Sequence, residues 1–222
     1  LLANKLALRA ATATSKLEGR LAREADIRDA FHLTPAGEAK GPDGDLLAFW
    51  REAVRVRTCG AREVAALVGA DFAGEVGVWL DAGLQRARTH GPLAGCVAVM
   101  HVVLEADDRA ERTACFLSDV VLARALNWKI VLPGSAQRLT KAMLRALTTD
   151  GQAAELSVQL RILESLEETI PLARDLARRG EALRAVSPKL RAKGSDAADA
   201  LILAEDAVAP ATMRSPRIRG TS

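Results

Sequence analysis

The sequence predicts an all-α fold, a multi-helix bundle of about nine or ten helices. Three observations predict it. Ala, Leu and Arg, all strong helix formers, dominate the composition. Aromatic residues make up only 3% and Tyr is absent, so the core must be built from Leu, Val, Ile and Ala. That composition suits helix packed on helix and not a β-sandwich. The one β-branched run, Cys96-Val97-Ala98-Val99-Met100-His101-Val102-Val103-Leu104, lacks alternation and has no neighbouring strand candidate. A buried strand and a fully buried helix both fit residues 93–104, and the helix is favoured.

The elements follow in order. Leu1–Leu17 reads as an amphipathic first helix, preferred over a transit peptide despite its Ala, Thr and Arg content. Leu21–Leu33 is expected to be helical, with Leu21, Ala25, Ile27 and Phe31 inward. Thr34-Pro35-Ala36-Gly37 stops it, and Gly41-Pro42-Asp43-Gly44 is expected to extend the loop. A helix over Leu46–Val56 places Leu47, Trp50 and Val54 at helical spacing. Short and longer helices are expected at Ala61–Val68 and Ala73–Thr89. Gly91-Pro92 is a stop and restart, because proline suits the first turn of a helix. Glu111–Asn127 is a further helix, Trp128–Pro133 an extended link, and Ala136–Leu147 a helix.

The longest helical pattern is Gln152–Val186. Leu156, Leu160, Leu163, Leu166, Ile170, Ala173, Leu176 and Leu183 form an apolar seam at three- and four-residue steps. Pro171 lies inside it. Loss of one hydrogen bond and a clash with the carbonyl of Glu167 predict a kink or a break near Glu168. Asp196–Val208 is expected as a last helix, and residues 209–222 as a disordered tail. Residues 1–208 read as one α-helical domain. If it is two-lobed, the hinge is expected at 129–135.

The charge is mild, +3 from 31 basic and 28 acidic residues, which does not by itself imply nucleic acid. No segment is apolar enough over a sufficient length to span a bilayer, so no membrane partner is expected. Cys59, Cys96 and Cys115 are odd in number and form no CxxC pair. They read as small apolar residues in a reducing, cytoplasmic setting.

Arg62–Gly69 resembles the first helix and turn of a helix-turn-helix, but the following Asp71–Leu84 carries Asp71, Glu75 and Asp81 and no Arg or Lys. An acidic helix is repelled by phosphates, so a plain helical hairpin is favoured. His32, His90 and His101 read as isolated, without a His, Cys or carboxylate partner at metal-ligand spacing such as i, i+4, and His101 as a core residue. No metal site is expected. No phosphate-binding glycine loop, dinucleotide fingerprint, nucleophile elbow or kinase signature is present, so neither a cofactor nor a catalytic residue is assigned.

The features worth weighing concentrate in Leu172–Pro210. Its first half carries Arg174, Arg178, Arg179, Arg184, Lys189, Arg191 and Lys193, a candidate basic patch. A solvated face paired with Asp175, Glu181 and the acids after Gly194 is the favoured reading of that run. Glu205 and Asp206, in an apolar setting, are a candidate ionic latch to Arg191 or Lys193.

Leu6–Leu33 with the following Pro-Ala-Gly and Gly-Pro-Asp-Gly-Asp-Leu-Leu, and Ser118–Trp128 (SDVVLARALNW), resemble stretches of a known family. So do Pro-Lys-Leu-Arg-Ala-Lys-Gly and Leu-Ala-Glu-Asp-Ala-Val-Ala-Pro within Leu172–Pro210. On these stretches the chain resembles the bacterial domain of unknown function 1403 family. The resemblance implies no activity and no site residues. It implies a further helical segment after Ala209-Pro210, where this chain departs into Met213-Arg214-Ser215-Pro216-Arg217, so a truncated or frame-shifted end is expected. Together these readings favour a non-catalytic interaction or scaffold protein with a protein partner. A nucleic-acid-associated accessory protein using residues 174–193 is the alternative.

Overall fold

The computed structural model describes residues 1–35, 37–57, 61–186 and 200–202. Among them it is all-α. It has nine α-helices: α1 (Leu2–Leu17), α2 (Glu24–His32), α3 (Gly41–Ala53), α4 (Ala61–Val68), α5 (Val76–His90), α6 (Pro92–Ala106), α7 (Glu111–Ala125), α8 (Lys141–Leu147) and α9 (Gln152–Val186). Two 3-10 turns, Ala70–Phe72 and Ser135–Arg138, join them, and residues 200–202 are helical as well. No strand occurs among the described residues. One antiparallel bridge, Arg57 to Ile130, is the extended pairing seen there.

The bundle is built around α7. Every residue from Thr113 to Ala123 is buried, the pattern of a helix covered on all sides. α5 and α6 cover one flank, and α1 and the Ser135–Arg138 turn the other. The Phe116 ring stands edge-on to Phe49 and Trp50 of α3, with centroids 5.5 and 6.4 Å away. α1 is packed into this core through Leu6, Ala7, Leu8, Ala10, Ala11 and Leu17. Its polar Thr14 is buried too, and fully used. The Trp50 indole N–H donates to Thr14 Oγ1 at 3.0 Å, and the Thr14 hydroxyl donates to the Ala10 carbonyl at 2.8 Å.

The ambiguous segment 93–104 lies within α6 and is helical. Two glycines explain how it packs. A methyl at Gly95 would sit 2.6 Å from both Ala87 Cβ and the Gly83 carbonyl oxygen, so α5 and α6 meet backbone to backbone.

Several local expectations are corrected. Gly41-Pro42-Asp43-Gly44 is not loop but the first turn of α3, with proline where its missing N–H costs nothing. Leu21 is 90% exposed, because α2 starts only at Glu24. The extended Arg23 caps that start: its backbone N–H donates to the Asp26 carboxylate at 3.1 Å. The helix expected at Ala136–Leu147 is two pieces. Thr140 caps the second by accepting from the Met143 N–H at 3.3 Å. Pro171 does not divide α9, which is continuous over its 35 residues. Glu167, whose carbonyl loses its N–H partner, is exposed, so water can take that place. The helix expected at Asp196–Val208 lies outside the described residues except at 200–202.

Candidate partner-binding face

α9 has two unlike sides. Ala154, Val158, Ile162 and Ser165, at three- and four-residue steps, are buried against the bundle. Leu166 reaches the backbone of Gly134, where an added methyl would lie 2.7 Å from its Cδ2. On the opposite side Leu156, Leu160, Leu163 and Ile170 are 57, 54, 40 and 51% exposed. Half of the apolar seam expected from the sequence therefore faces outward. The face formed by Ala, Val, Ile and Ser takes the core instead. The exposed stripe covers fourteen residue steps, about 21 Å along the helix.

Charge interrupts this stripe and ends it. Glu167 is exposed between Leu163 and Ile170, and Arg174 is exposed one turn beyond Ile170. Neither is engaged in an ion pair among the described residues. Of the predicted basic patch, Arg178 and Arg179 both bond Asp175, at 2.7 and 2.8 Å. Their hydrogen bonds and charge, Arg178 first, hold the Asp175 carboxyl below its usual range. Arg184 is exposed near the end of α9. Lys189, Arg191, Lys193, Glu205 and Asp206 lie outside the described residues, and so does Cys59.

The histidines are not all isolated. His101 lies 3.0 Å from Glu105, four residues on, and is half-buried at the surface instead of in the core. Its turn of α6 faces out, so a carboxylate at i+4 can reach it. His90 ends α5 beside Thr89 Oγ1 at 2.7 Å and Arg86 at 3.3 Å. Among the described residues, no group of three His, Cys, Asp or Glu side chains could hold a metal ion. No described helix is long and apolar enough to cross a membrane.

Sequence reasoning passed over Asp119. It sits on α7, 1% exposed, and its Oδ1 accepts the backbone N–H groups of Gly134 at 3.0 Å and Ser135 at 2.9 Å. The Ser135 hydroxyl donates to the Cys115 carbonyl at 3.0 Å. Asp119 Oδ2 is buried without a partner. Burial pushes the carboxyl up to about 7, against the two N–H donors. Cys96 and Cys115 are buried free thiols, and burial raises both, Cys96 to about 12, so neither is a reactive thiolate. This buried group acts as a clasp between α7 and the link before α8. The signal was present in the sequence: an acid inside the apolar run Cys115–Ala123.

A family model described as "Protein of unknown function (DUF1403)" matches residues 1–219. No curated protein and no solved structure matches the chain.

Proposed function

The chain belongs to the DUF1403 family of proteins of unknown function, a membership that carries no activity with it, and we propose that it is a non-catalytic helical interaction protein. Its partner is a protein that lays an amphipathic helix along the outer face of α9. The observation that supports this reading is the exposed stripe Leu156, Leu160, Leu163 and Ile170. Large apolar side chains aligned on one exposed helix face are the anchors of helix-on-helix recognition. Large exposed apolar side chains clustered on one face mark interaction sites.

Charge defines the occupant further. Glu167 calls for a Lys or Arg opposite it, and Arg174 for an Asp or Glu about two turns away. The partner helix is thus about four turns long, leucine-rich on one face, with one cation and one anion at that separation.

A designed peptide of this pattern, labelled for fluorescence anisotropy, tests the reading. Binding is expected, with a loss of at least tenfold in Leu160→Glu and Leu163→Glu and recovery when Glu167→Lys meets an acid-swapped peptide. Because both leucines are exposed, stability should change by only about 0.5 kcal/mol. Absence of binding would overturn the assignment. Concentration-dependent self-association abolished by Leu163→Glu would give the face to a second copy of the chain instead. Retention on duplex DNA at low salt, removed by charge reversal at Arg174, Arg178 and Arg179, would favour the nucleic-acid alternative.

A further inference from the structure

A polar recess of about 290 Å³ lies where α1, the start of α2, the Ser135–Arg138 turn and α9 meet. We propose that it binds a small organic dianion, held by Arg9 and Lys16. These two residues stand seven apart on one face of α1, two turns or about 10.5 Å along the axis. They can therefore grip two separate anionic groups, or one group from both sides.

The recess also contains two carboxylates, Glu24 and Glu168. Each is already neutralised from outside. Lys5 Nζ lies 2.5 Å from Glu24 Oε1, and Arg138 forms an ion pair with Glu168. Neither Arg9 nor Lys16 is engaged in an ion pair among the described residues, although the charge of Arg9 is felt at Glu168. Glu164 shares Arg138 at 3.8 Å but is held by Arg161 at 2.8 Å, so with that pair included five cations stand against three carboxylates, and two positive charges, Arg9 and Lys16, are left for a ligand.

The neutral groups narrow the donors. The Thr12 hydroxyl donates to the Leu8 carbonyl at 2.9 Å, so it is not free to donate to an anion. The Gln137 amide makes one long bond, 3.4 Å to the Pro133 carbonyl, and keeps a second N–H for the recess. Ala13 and Leu139 complete the wall. A guanidinium fork matches a carboxylate or a phosphate in two parallel bonds, and an ammonium adds a point charge. The volume sits at the small end of ligand sites, about 300 Å³, so the molecule is compact.

Calorimetry and thermal shift on the whole chain test this with succinate, inorganic phosphate and acetate at matched ionic strength. The expected result is a rise in Tm and measurable binding for succinate, phosphate or both, with acetate at least tenfold weaker. Arg9→Gln and Lys16→Gln should each weaken binding tenfold or more, whereas Arg9→Lys retains part of it. Arg88→Gln, exposed on α5 and outside the recess, should bind as the parent does. Binding of phosphate alone would show that the recess takes a phosphate group, and of succinate alone a dicarboxylate. Circular dichroism confirms that each variant is folded. Equal affinity for acetate, no binding by either dianion, or binding unchanged in both glutamine variants would overturn the proposal.

Discussion

Asp119 sets the most specific behaviour at the residue scale. Unfolded, its carboxyl ionises near 3.8; folded, burial moves it up to about 7. Between those values the folded chain holds a proton that the unfolded chain has released. Stability contributed by this residue is therefore fully present below about pH 4 and is lost as pH rises to about 7, on the order of a few kcal/mol. The surface carboxylates Asp26, Glu168 and Asp175 move the other way, lowered by Arg23, Arg138 and Arg178. Their stabilisation is lost as pH falls, below that window. The Tm of the parent is expected to decline between pH 5 and 8, and that slope to flatten in Asp119→Asn. An unchanged slope would show that the residue does not titrate there. Thr14 gives a second test. Thr14→Val keeps the volume but strands the buried Trp50 N–H, and should cost about 1–3 kcal/mol in urea unfolding. Only Asp119 left a trace in the sequence, as an acid inside an apolar run; the role of Thr14 left none, because burial of a polar side chain depends on which helix arrives opposite it.

Elements were more legible than their ends. α4 and the span of α9 match the sequence expectation, since long periodic runs and glycine stops carry their own signal. The misread boundaries share a cause. Each turns on contacts at an element's end: Gly41-Pro42 on proline in a first turn, Arg23 on its cap with Asp26, and Ser135–Arg138 on the backbone clasp to Asp119. The outward stripe of α9 was hidden for another reason. This helix has two apolar faces, and periodicity does not say which one meets the bundle. The residues that do are the smaller set, Ala154, Val158, Ile162 and Ser165, which allow close approach. Close approach is also the principle of the α5–α6 pair. Gly95→Ala would place a methyl 2.6 Å from the Gly83 carbonyl oxygen and from Ala87 Cβ, and neither can swing aside as a flexible side chain would. A loss of about 1–3 kcal/mol is expected from overpacking, read as a lower urea midpoint at constant m.

The whole molecule raises the question of whether it unfolds as one body or as two lobes about the 129–135 link. One contiguous buried cluster runs from Ala7 in α1 through α3, α5, α6 and α7 to Ile162 in α9. The link itself is fastened: Val131 is fully buried, and the backbone of Gly134 and Ser135 is held by Asp119. A cluster of this continuity couples its parts, because opening either half exposes the apolar surface of the other. We therefore expect a single cooperative transition. The tryptophans provide local probes, Trp50 against Thr14 and Phe116, and Trp79 beside Phe72 on α5. Two single-tryptophan variants, the other tryptophans changed to phenylalanine, each report one region. Each fluorescence transition in urea should coincide with the far-UV circular dichroism of the same variant, even though the variant lacking Trp50 is less stable overall. Fluorescence that leads or lags the dichroism in both variants would show the part before the link, which holds both tryptophans, unfolding apart from the part after it, and would restore the hinge to 129–135.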